Sequence, residues 1–152
     1  MSVDNRDFTI VRTYAYSPAQ VFDAWADPAK KKLWFGDGPG FSDVTHNHDF
    51  REGGRDHNSA THADGWRTTF DSEYISIVPN ERIVYTYAMT LDGVPLSGSV
   101  TCVTFEELDG GTLMTFTEHG VFLDNPEDAL LREEGTKGIL DAFGVALDGL
   151  YS

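Results

Sequence analysis

Much of the chain alternates between apolar and polar residues with the two-residue period of a β-strand. In residues 82–91 the side chains of Ile83, Tyr85, Tyr87 and Met89 share one face. Alternation and enrichment in β-branched or aromatic residues predict further strands at 8–14, 44–50, 68–78, 97–106 and 112–119. Short turns separate the later strands, so the sheet is predicted to be antiparallel.

Two parts of the chain follow helical spacing instead. Residues 17–35 predict a short, broken helical pair, because Ser17 suits an N-cap position and Asp27-Pro28 interrupts the helix. Near the C-terminus, Asn125-Pro126-Glu127 is typical of a helix start, and Thr136 is a candidate cap for the final amphipathic stretch. The apolar face of this stretch is formed by Ile139, Leu140, Phe143, Leu147 and Leu150.

The charge of the chain disfavours some classes of partner. With 25 acidic and 11 basic residues the net charge is -14, which disfavours nucleic acid and anionic membrane surfaces. Cys102 is the single cysteine, the N-terminus lacks the pattern of a signal peptide, and no window approaches the roughly 20 apolar residues of a membrane span. These features predict one cytoplasmic domain over residues 1–152, a monomer or homodimer without membrane insertion.

The order and spacing of several short motifs resemble a known protein family. They are Ser17-Pro18-x-x-Val21-Phe22-x-x-Trp25, Asp27-Pro28, Leu33-Trp34-Phe35, Asp49-Phe50-Arg51-x-Gly53-Gly54, Tyr74 with Ile77-x-Pro79-x-x-Arg82-Ile83-Val84, and Gly111-Thr112 ahead of Phe116-Thr117-Glu118. The chain resembles the START-like (SRPBCC) helix-grip superfamily. Within it, the chain is most similar to bacterial homologues of the C-terminal domain of the heat-shock-protein-90 ATPase activator. Many relatives carry Gly-Trp early in the last helix, where this chain has Gly135-Thr136.

The resemblance implies an α+β fold in which a curved antiparallel sheet of about six strands wraps around a long C-terminal helix. Two short helices follow the first strand, and a cavity lies between the sheet and the last helix. The resemblance implies no single reaction, because members of such a superfamily bind, carry, cyclise or regulate.

Glu118 is the leading candidate for a functional side chain. It shares a strand face with Met114 and Phe116, so it is expected to point into the same apolar cavity. Burial disfavours the charged carboxylate, and the pKa of Glu118 is therefore expected to rise. A carboxyl group in this setting orients a ligand or moves a proton. The structural alternative is that Glu118 lies at the edge of the sheet and pairs with Arg51, Arg67 or solvent.

Tyr85 and Tyr87 are predicted to join Glu118 as polar groups of the cavity, with His48 as a further candidate. The alternative for each tyrosine is an ordinary core residue whose hydroxyl bonds to a neighbouring strand. The predicted apolar walls are Ile83, Met89, Val103, Phe105, Met114, Phe116, Phe143 and Leu147. Trp25 and Trp34 are interpreted as architectural residues that close one end of the cavity.

Four histidines between residues 46 and 62 raise the question of a metal site. His46-x-His48 places two imidazoles on one side of a strand, but no Cys or second carboxylate completes a set. His57 and His62 fall in residues 57–64, a polar segment that is predicted to be turn-like. Neither a metal nor a cofactor is predicted.

The leading functional hypothesis is non-covalent binding of a small hydrophobic or aromatic molecule in the cavity. One alternative is an enzyme of the polyketide cyclase or aromatase type, in which Glu118 moves protons. Another is an interaction module that modulates a partner ATPase during a stress response.

Overall fold

The computed structural model describes residues 1–36, 40–125 and 128–152. These residues form seven β-strands and three α-helices. In chain order they are β1 (Val3–Tyr14), α1 (Pro18–Ala26), α2 (Pro28–Lys31), β2 (Phe41–His48), β3 (Arg55–His62), β4 (Arg67–Val78), β5 (Arg82–Leu91), β6 (Val94–Leu108), β7 (Gly111–Leu123) and α3 (Asp128–Tyr151). The predicted α+β fold is confirmed, including the antiparallel sheet and the two short helices after the first strand.

All seven strands belong to one antiparallel sheet in the order β1-β7-β6-β5-β4-β3-β2. The first strand therefore lies beside the last, and Phe8 pairs with Glu118. Register shifts interrupt the β2–β3, β4–β5 and β5–β6 ladders. Irregularities of this kind bend strands, and the sheet curves around α3. The open edges are β1 and β2.

The sheet has seven strands rather than about six because residues 57–64 were wrongly predicted to be turn-like. Residues 55–62 form β3, which pairs with both β2 and β4, so His57 and His62 lie on a strand. The segment lacks an apolar pattern because two of its three buried residues, Asp56 and Ser59, are polar, and only Ala60 is apolar. The partners of Asp56 come from elsewhere in the fold. Backbone pairing with two neighbours stabilises the strand without an apolar pattern.

Local signals explain the broken helical pair. The backbone N–H of Gln20 donates to Ser17 Oγ, while the backbone N–H of Ser17 donates to Gln20 Oε1, which together form a capping box. Asp27 ends α1 and also caps α2, where its side chain accepts from the backbone N–H of Ala29 at 2.9 Å. One aspartate thus turns the chain between two helices.

The last helix begins earlier than Thr136. Its first described residue is Asp128, and the predicted start at Pro126 and Glu127 lies outside the described residues. Thr136 is inside the helix, where its hydroxyl donates to the carbonyl of Arg132 at 2.8 Å, so the predicted capping role is wrong. Residues 128–151 span roughly 36 Å at 1.5 Å per residue.

An aromatic cluster joins α3 to the helical pair. Phe143 is fully buried, with its ring 4.7 Å from that of Trp34 and 5.8 Å from that of Trp25. The two tryptophan rings are 4.7 Å apart, and the indole N–H of Trp34 donates to the carbonyl of Ala24. Edge-to-face packing of this kind adds to the energy of burial. The cluster fixes where α3 lies over the sheet.

We expect Phe143→Ala to destabilise the fold by about 3–5 kcal/mol, since it removes a buried ring and leaves a cavity among aromatic neighbours. Val145→Ala is the matched control, because Val145 lies on the same helix and is 72% exposed. It should change the free energy of unfolding by no more than about 0.5 kcal/mol. Urea unfolding of both variants measures the difference, and equal effects would contradict the assigned packing of α3.

Candidate functional site

A cavity of about 360 Å³ lies between the inner face of the sheet and α3. Residues from β3, β4, β5, β6 and β7 form one side, α3 forms the other, and the helical pair with the residues after it closes one end. Most of the wall is apolar. Its aromatic residues are Trp25, Trp34, Phe35, Phe70, Tyr85, Tyr87 and Phe116.

Glu118 is the buried carboxylate of this cavity and is 1% exposed. Its Oε2 atom accepts hydrogen bonds from Tyr87 Oη at 2.7 Å and Ser99 Oγ at 3.1 Å. The hydroxyl of Thr101 reaches Oε1 at 3.5 Å. The three donors lie on β5 and β6, the two strands that follow β7 across the sheet. Strand alternation thus brings them to the same inner face.

Arg132 closes this cluster from the helix side. Its Nη1 atom donates to Tyr87 Oη at 3.0 Å and lies 4.0 Å from Glu118 Oε2, while Nη2 donates to Ser97 Oγ at 2.9 Å. The guanidinium also lies over the rings of Tyr87 and Phe122, at 5.6 and 5.0 Å from their centroids. Arg132 thus connects α3 to the sheet beside the cavity.

Sequence reasoning did not identify Arg132 as the partner of Glu118. Arg51 bonds to Asp49 and Arg67 to hydroxyls of β3, so neither of the expected arginines reaches Glu118. Helical spacing was the signal that could have placed Arg132 near the cavity. Arg132 lies on the same face of α3 as the buried residues Thr136, Leu140 and Phe143.

Burial and hydrogen bonding act in opposite directions on Glu118. Burial raises its pKa, and the hydrogen bond from Tyr87 and the charge of Arg132 reduce the rise without cancelling it. The upward shift agrees with the sequence-based expectation. Burial and the neighbouring carboxylate also raise the pKa of Tyr87, and burial keeps the pKa of Tyr85 well above its usual value. Both tyrosines are therefore neutral hydrogen-bonding groups at physiological pH.

The structure divides the predicted ligand-binding residues into three groups. Those that line the cavity are Tyr85, Tyr87, Met89, Phe116 and Glu118. Three of them, Tyr85, Tyr87 and Phe116, also belong to the packed core. Those that belong to the packed core are Ile83, Val103, Phe105, Met114, Phe143 and Leu147. His48 lines a second, much smaller pocket, and Phe35 and Asn58 line both pockets. Trp25 and Trp34 belong to the core and to the cavity wall at once.

His48 is part of a buried polar cluster around Asp56. The Oδ2 atom of Asp56 accepts from Lys31 Nζ at 3.1 Å, His48 Nδ1 at 2.7 Å and Tyr74 Oη at 2.5 Å. Its Oδ1 atom accepts from the backbone N–H of Asp49 at 3.0 Å. Both oxygens are therefore satisfied. Lys31 and Asp56 are 25 positions apart, and no local sequence pattern marks them as partners.

The Asp56 cluster favours the ionised carboxylate. Burial alone would raise the pKa of Asp56, but the hydrogen bonds from His48 and Tyr74 and the charge of Lys31 outweigh it and lower the pKa well below its usual range. Burial lowers the pKa of Lys31, and the adjacent Asp56 carboxylate opposes that shift.

The other histidines between residues 46 and 62 have hydrogen-bond partners outside the Asp56 cluster, and His62 contacts the hydroxyl of Thr68. His46 contacts Asn58 Oδ1 through Nδ1, and His57 contacts Asp71 in the same way. Within residues 1–36, 40–125 and 128–152, no group of three or more His, Cys, Asp or Glu side chains is arranged to hold a metal ion. The helices in these ranges are also too short or too polar to cross a membrane.

Comparison with known proteins places the chain in a family. A sequence profile described as "Activator of Hsp90 ATPase homolog 1-like protein" matches residues 15–148. The chain belongs to this family. Membership in the Activator of Hsp90 ATPase homolog 1-like family confirms the resemblance found in the sequence. It sets the fold, whereas a ligand or a reaction depends on the site.

Solved structures support the assignment to the Hsp90 activator-like family. The crystal structure of the Mll3558 protein from Rhizobium loti is 39% identical, with a TM-score of 0.89 over 96% of this chain and 99% of that chain. An uncharacterised protein from Rhizobium leguminosarum is also 39% identical, with a TM-score of 0.92 over 97% of both chains. CV1439 from Chromobacterium violaceum shares the fold at 24% identity, with a TM-score of 0.73 over 93% of this chain and 96% of that chain. No curated protein matches the chain.

We expect Asp56→Asn to destabilise the protein by about 3–5 kcal/mol at pH 7, because it leaves the buried Lys31 without its counter-charge. The folded-state pKa of Asp56 lies below the unfolded value of about 3.9, so its ionised form stabilises the fold above that pH. The difference between wild type and variant should therefore shrink as the pH falls below about 4.

Urea unfolding between pH 7 and pH 3 measures this dependence. Asp71→Asn is the control, because Asp71 is an exposed strand carboxylate beside His57 and its removal should cost no more than about 1 kcal/mol. A loss for Asp56→Asn that is the same at every pH would contradict the assigned charge state.

Proposed function

We propose that this protein binds a small, mainly apolar or aromatic molecule non-covalently in the cavity beneath α3. The observation that carries the proposal is the combination of an aromatic wall with one buried polar cluster around Glu118. Binding sites for small molecules commonly have this composition, in which apolar burial supplies affinity and a few polar groups fix orientation.

The size of the cavity supports a ligand with one or two rings. Its volume of about 360 Å³ falls within the range of known ligand sites. One water molecule occupies roughly 30 Å³ in the liquid, so the cavity has the volume of roughly 12 waters. A ligand of about 12 non-hydrogen atoms occupies a similar volume.

The first turns of α3 provide the route from solvent to the cavity. Leu131 lines the cavity and is 64% exposed, and the exposed Gly135 lines it one turn later. A side chain at position 135 would meet no atom within 4 Å of its Cβ. The wall is thus open at this position, and a larger residue there would narrow the entrance.

The unpartnered indole N–H of Trp25 also supports ligand binding. Trp25 lines the cavity, and among the described residues its Nε1 atom has no hydrogen-bond partner. Buried donors of this kind are rarely left unsatisfied. An acceptor on a bound molecule would satisfy it.

A proton-transferring enzyme of the cyclase type is the second candidate. The hydrogen-bonded series Arg132, Tyr87 and Glu118 favours it, because a carboxyl group with a raised pKa in a cavity suits general acid or base chemistry. An enzyme would convert its ligand into a product, whereas a carrier would release it unchanged. Glu118→Gln would abolish a reaction while leaving the fold intact, whereas in a carrier it would change only affinity.

We expect Gly135→Leu to weaken binding of 2-naphthol at least ten-fold, because the new side chain occupies the entrance of the cavity. Gly138→Leu is a closely matched control. Gly138 lies on the same helix, an added Cβ meets nothing within 4 Å, and Gly138 does not line the cavity. Both changes should raise helix stability by a similar amount, about 0.5–1 kcal/mol.

Isothermal titration calorimetry with 2-naphthol measures both affinities, and native mass spectrometry of the purified wild type tests for a co-purifying small molecule. Equal affinity in the two variants would place the binding site elsewhere. A wild-type protein that neither carries a small molecule nor binds 2-naphthol would overturn the proposal for ligands of this class.

A further inference from the structure

The polar cluster of the cavity has a fixed direction of hydrogen bonding. Arg132 can only donate, so Tyr87 must accept from it and use its single proton for Glu118. Ser99 and Thr101 likewise direct their hydroxyls at the carboxylate. Every described side chain that forms a hydrogen bond with Glu118 therefore acts as a donor, and the carboxylate is the acceptor on which the network ends.

The two oxygens of Glu118 are not equally satisfied. Oε2 holds hydrogen bonds of 2.7 and 3.1 Å, and the Arg132 guanidinium lies 4.0 Å away. Oε1 has only the 3.5 Å contact with Thr101, at the limit of a hydrogen bond. A carboxylate accepts about four hydrogen bonds, so Oε1 retains acceptor capacity in a residue that lines the cavity.

The charges around Glu118 limit which kind of ligand group can donate a hydrogen bond to Oε1. Arg132 already lies beside the Glu118 carboxylate, so a cationic group at Oε1 would place a second positive charge next to the guanidinium. Asp128, the other acidic residue of the wall, lies on α3 and is half-buried. An anionic ligand would place two negative charges side by side. A neutral donor is the group that fits both constraints.

We propose that the ligand is a neutral aromatic molecule with a hydroxyl group, and that this hydroxyl donates to Glu118 Oε1. The proposal rests on the proposed function, since it names the class of ligand for the same cavity. It assigns recognition of the hydroxyl to Glu118, and support of the Glu118 carboxylate to Tyr87 and Arg132.

A series of 2-substituted naphthalenes tests the proposal on the wild-type protein. Calorimetry at pH 7 compares 2-naphthol, 2-methoxynaphthalene, 2-naphthoate and 2-naphthylmethylamine, which differ in donor capacity and charge. We expect 2-naphthol to bind roughly ten-fold or more tightly than each of the others, because a hydrogen bond to a buried carboxylate is stronger than one between neutral groups. Equal binding of 2-naphthol and 2-methoxynaphthalene, or tightest binding of the amine or the acid, would overturn the assignment.

Glu118→Gln provides a second test, in which the preference for 2-naphthol over 2-methoxynaphthalene should be lost. Tyr87 and Ser99 would hold the amide oxygen, so the amide NH₂ would take the position of Oε1 and present a donor instead of an acceptor. The ratio of 2-naphthol to 2-methoxynaphthalene affinity should then fall at least ten-fold. Glu106→Gln, an exposed carboxylate on β6, should leave the ratio unchanged. Circular dichroism and thermal unfolding verify that both variants are folded.

The failure of this inference is distinct from that of the proposed function. If no naphthalene derivative binds the wild-type protein, both fail for this class of ligand. If the derivatives bind and Gly135→Leu weakens them, but the hydroxyl confers no advantage, the proposed function stands and the assignment of the ligand class is wrong.

Discussion

The packing of Phe143 against Trp25 and Trp34 is the contact on which the architecture depends. It divides α3 into two parts with different tasks. The second part, with Phe143 and Leu147, is buried in the core. The first part, from Asp128 to Leu140, contributes to the wall of a cavity. A single helix thus completes the core at one end and leaves space over the sheet at the other, because its aromatic anchor lies past its midpoint.

In the part of α3 that covers the cavity, the buried residues are Ala129, Thr136 and Leu140, and polar contacts of Arg132 join this part to the sheet. Arg132 reaches Tyr87 and Ser97, and through Tyr87 it supports Glu118. Such a network is costly unless each member is satisfied, since buried polar groups without partners destabilise a fold. A helix segment held mainly by a few directional contacts is also easier to displace than one buried in a core. The geometry therefore suits entry of a ligand near Leu131 and Gly135.

The sequence predicted the parts of the fold that have a local signal. Alternation located β5, and Ser17 with Asp27 located the helical pair. The strand β3 was missed because two of its three buried residues, Asp56 and Ser59, are polar, and the partners of Asp56, Lys31 and Tyr74, lie on other elements. An alternating pattern of apolar side chains reveals a strand only when the buried side chains of that strand are apolar. Arg132 was missed for a related reason, since its role depends on where α3 crosses the sheet.

The two buried carboxylates show how function separates from structure. Asp56 and Glu118 are both almost inaccessible, yet the pKa of one is lowered and that of the other is raised. Both oxygens of Asp56 are satisfied by hydrogen bonds and a buried lysine, so this carboxylate has no need of a ligand. The unpartnered atom of that cluster is His48 Nε2, and the pocket that His48 lines is much smaller than the cavity at Glu118. Glu118 lines the larger cavity, and one of its two oxygens has a single long contact. Burial of a charged group therefore does not identify a site by itself. Incomplete satisfaction beside a cavity does, because the missing partner is what a ligand can provide.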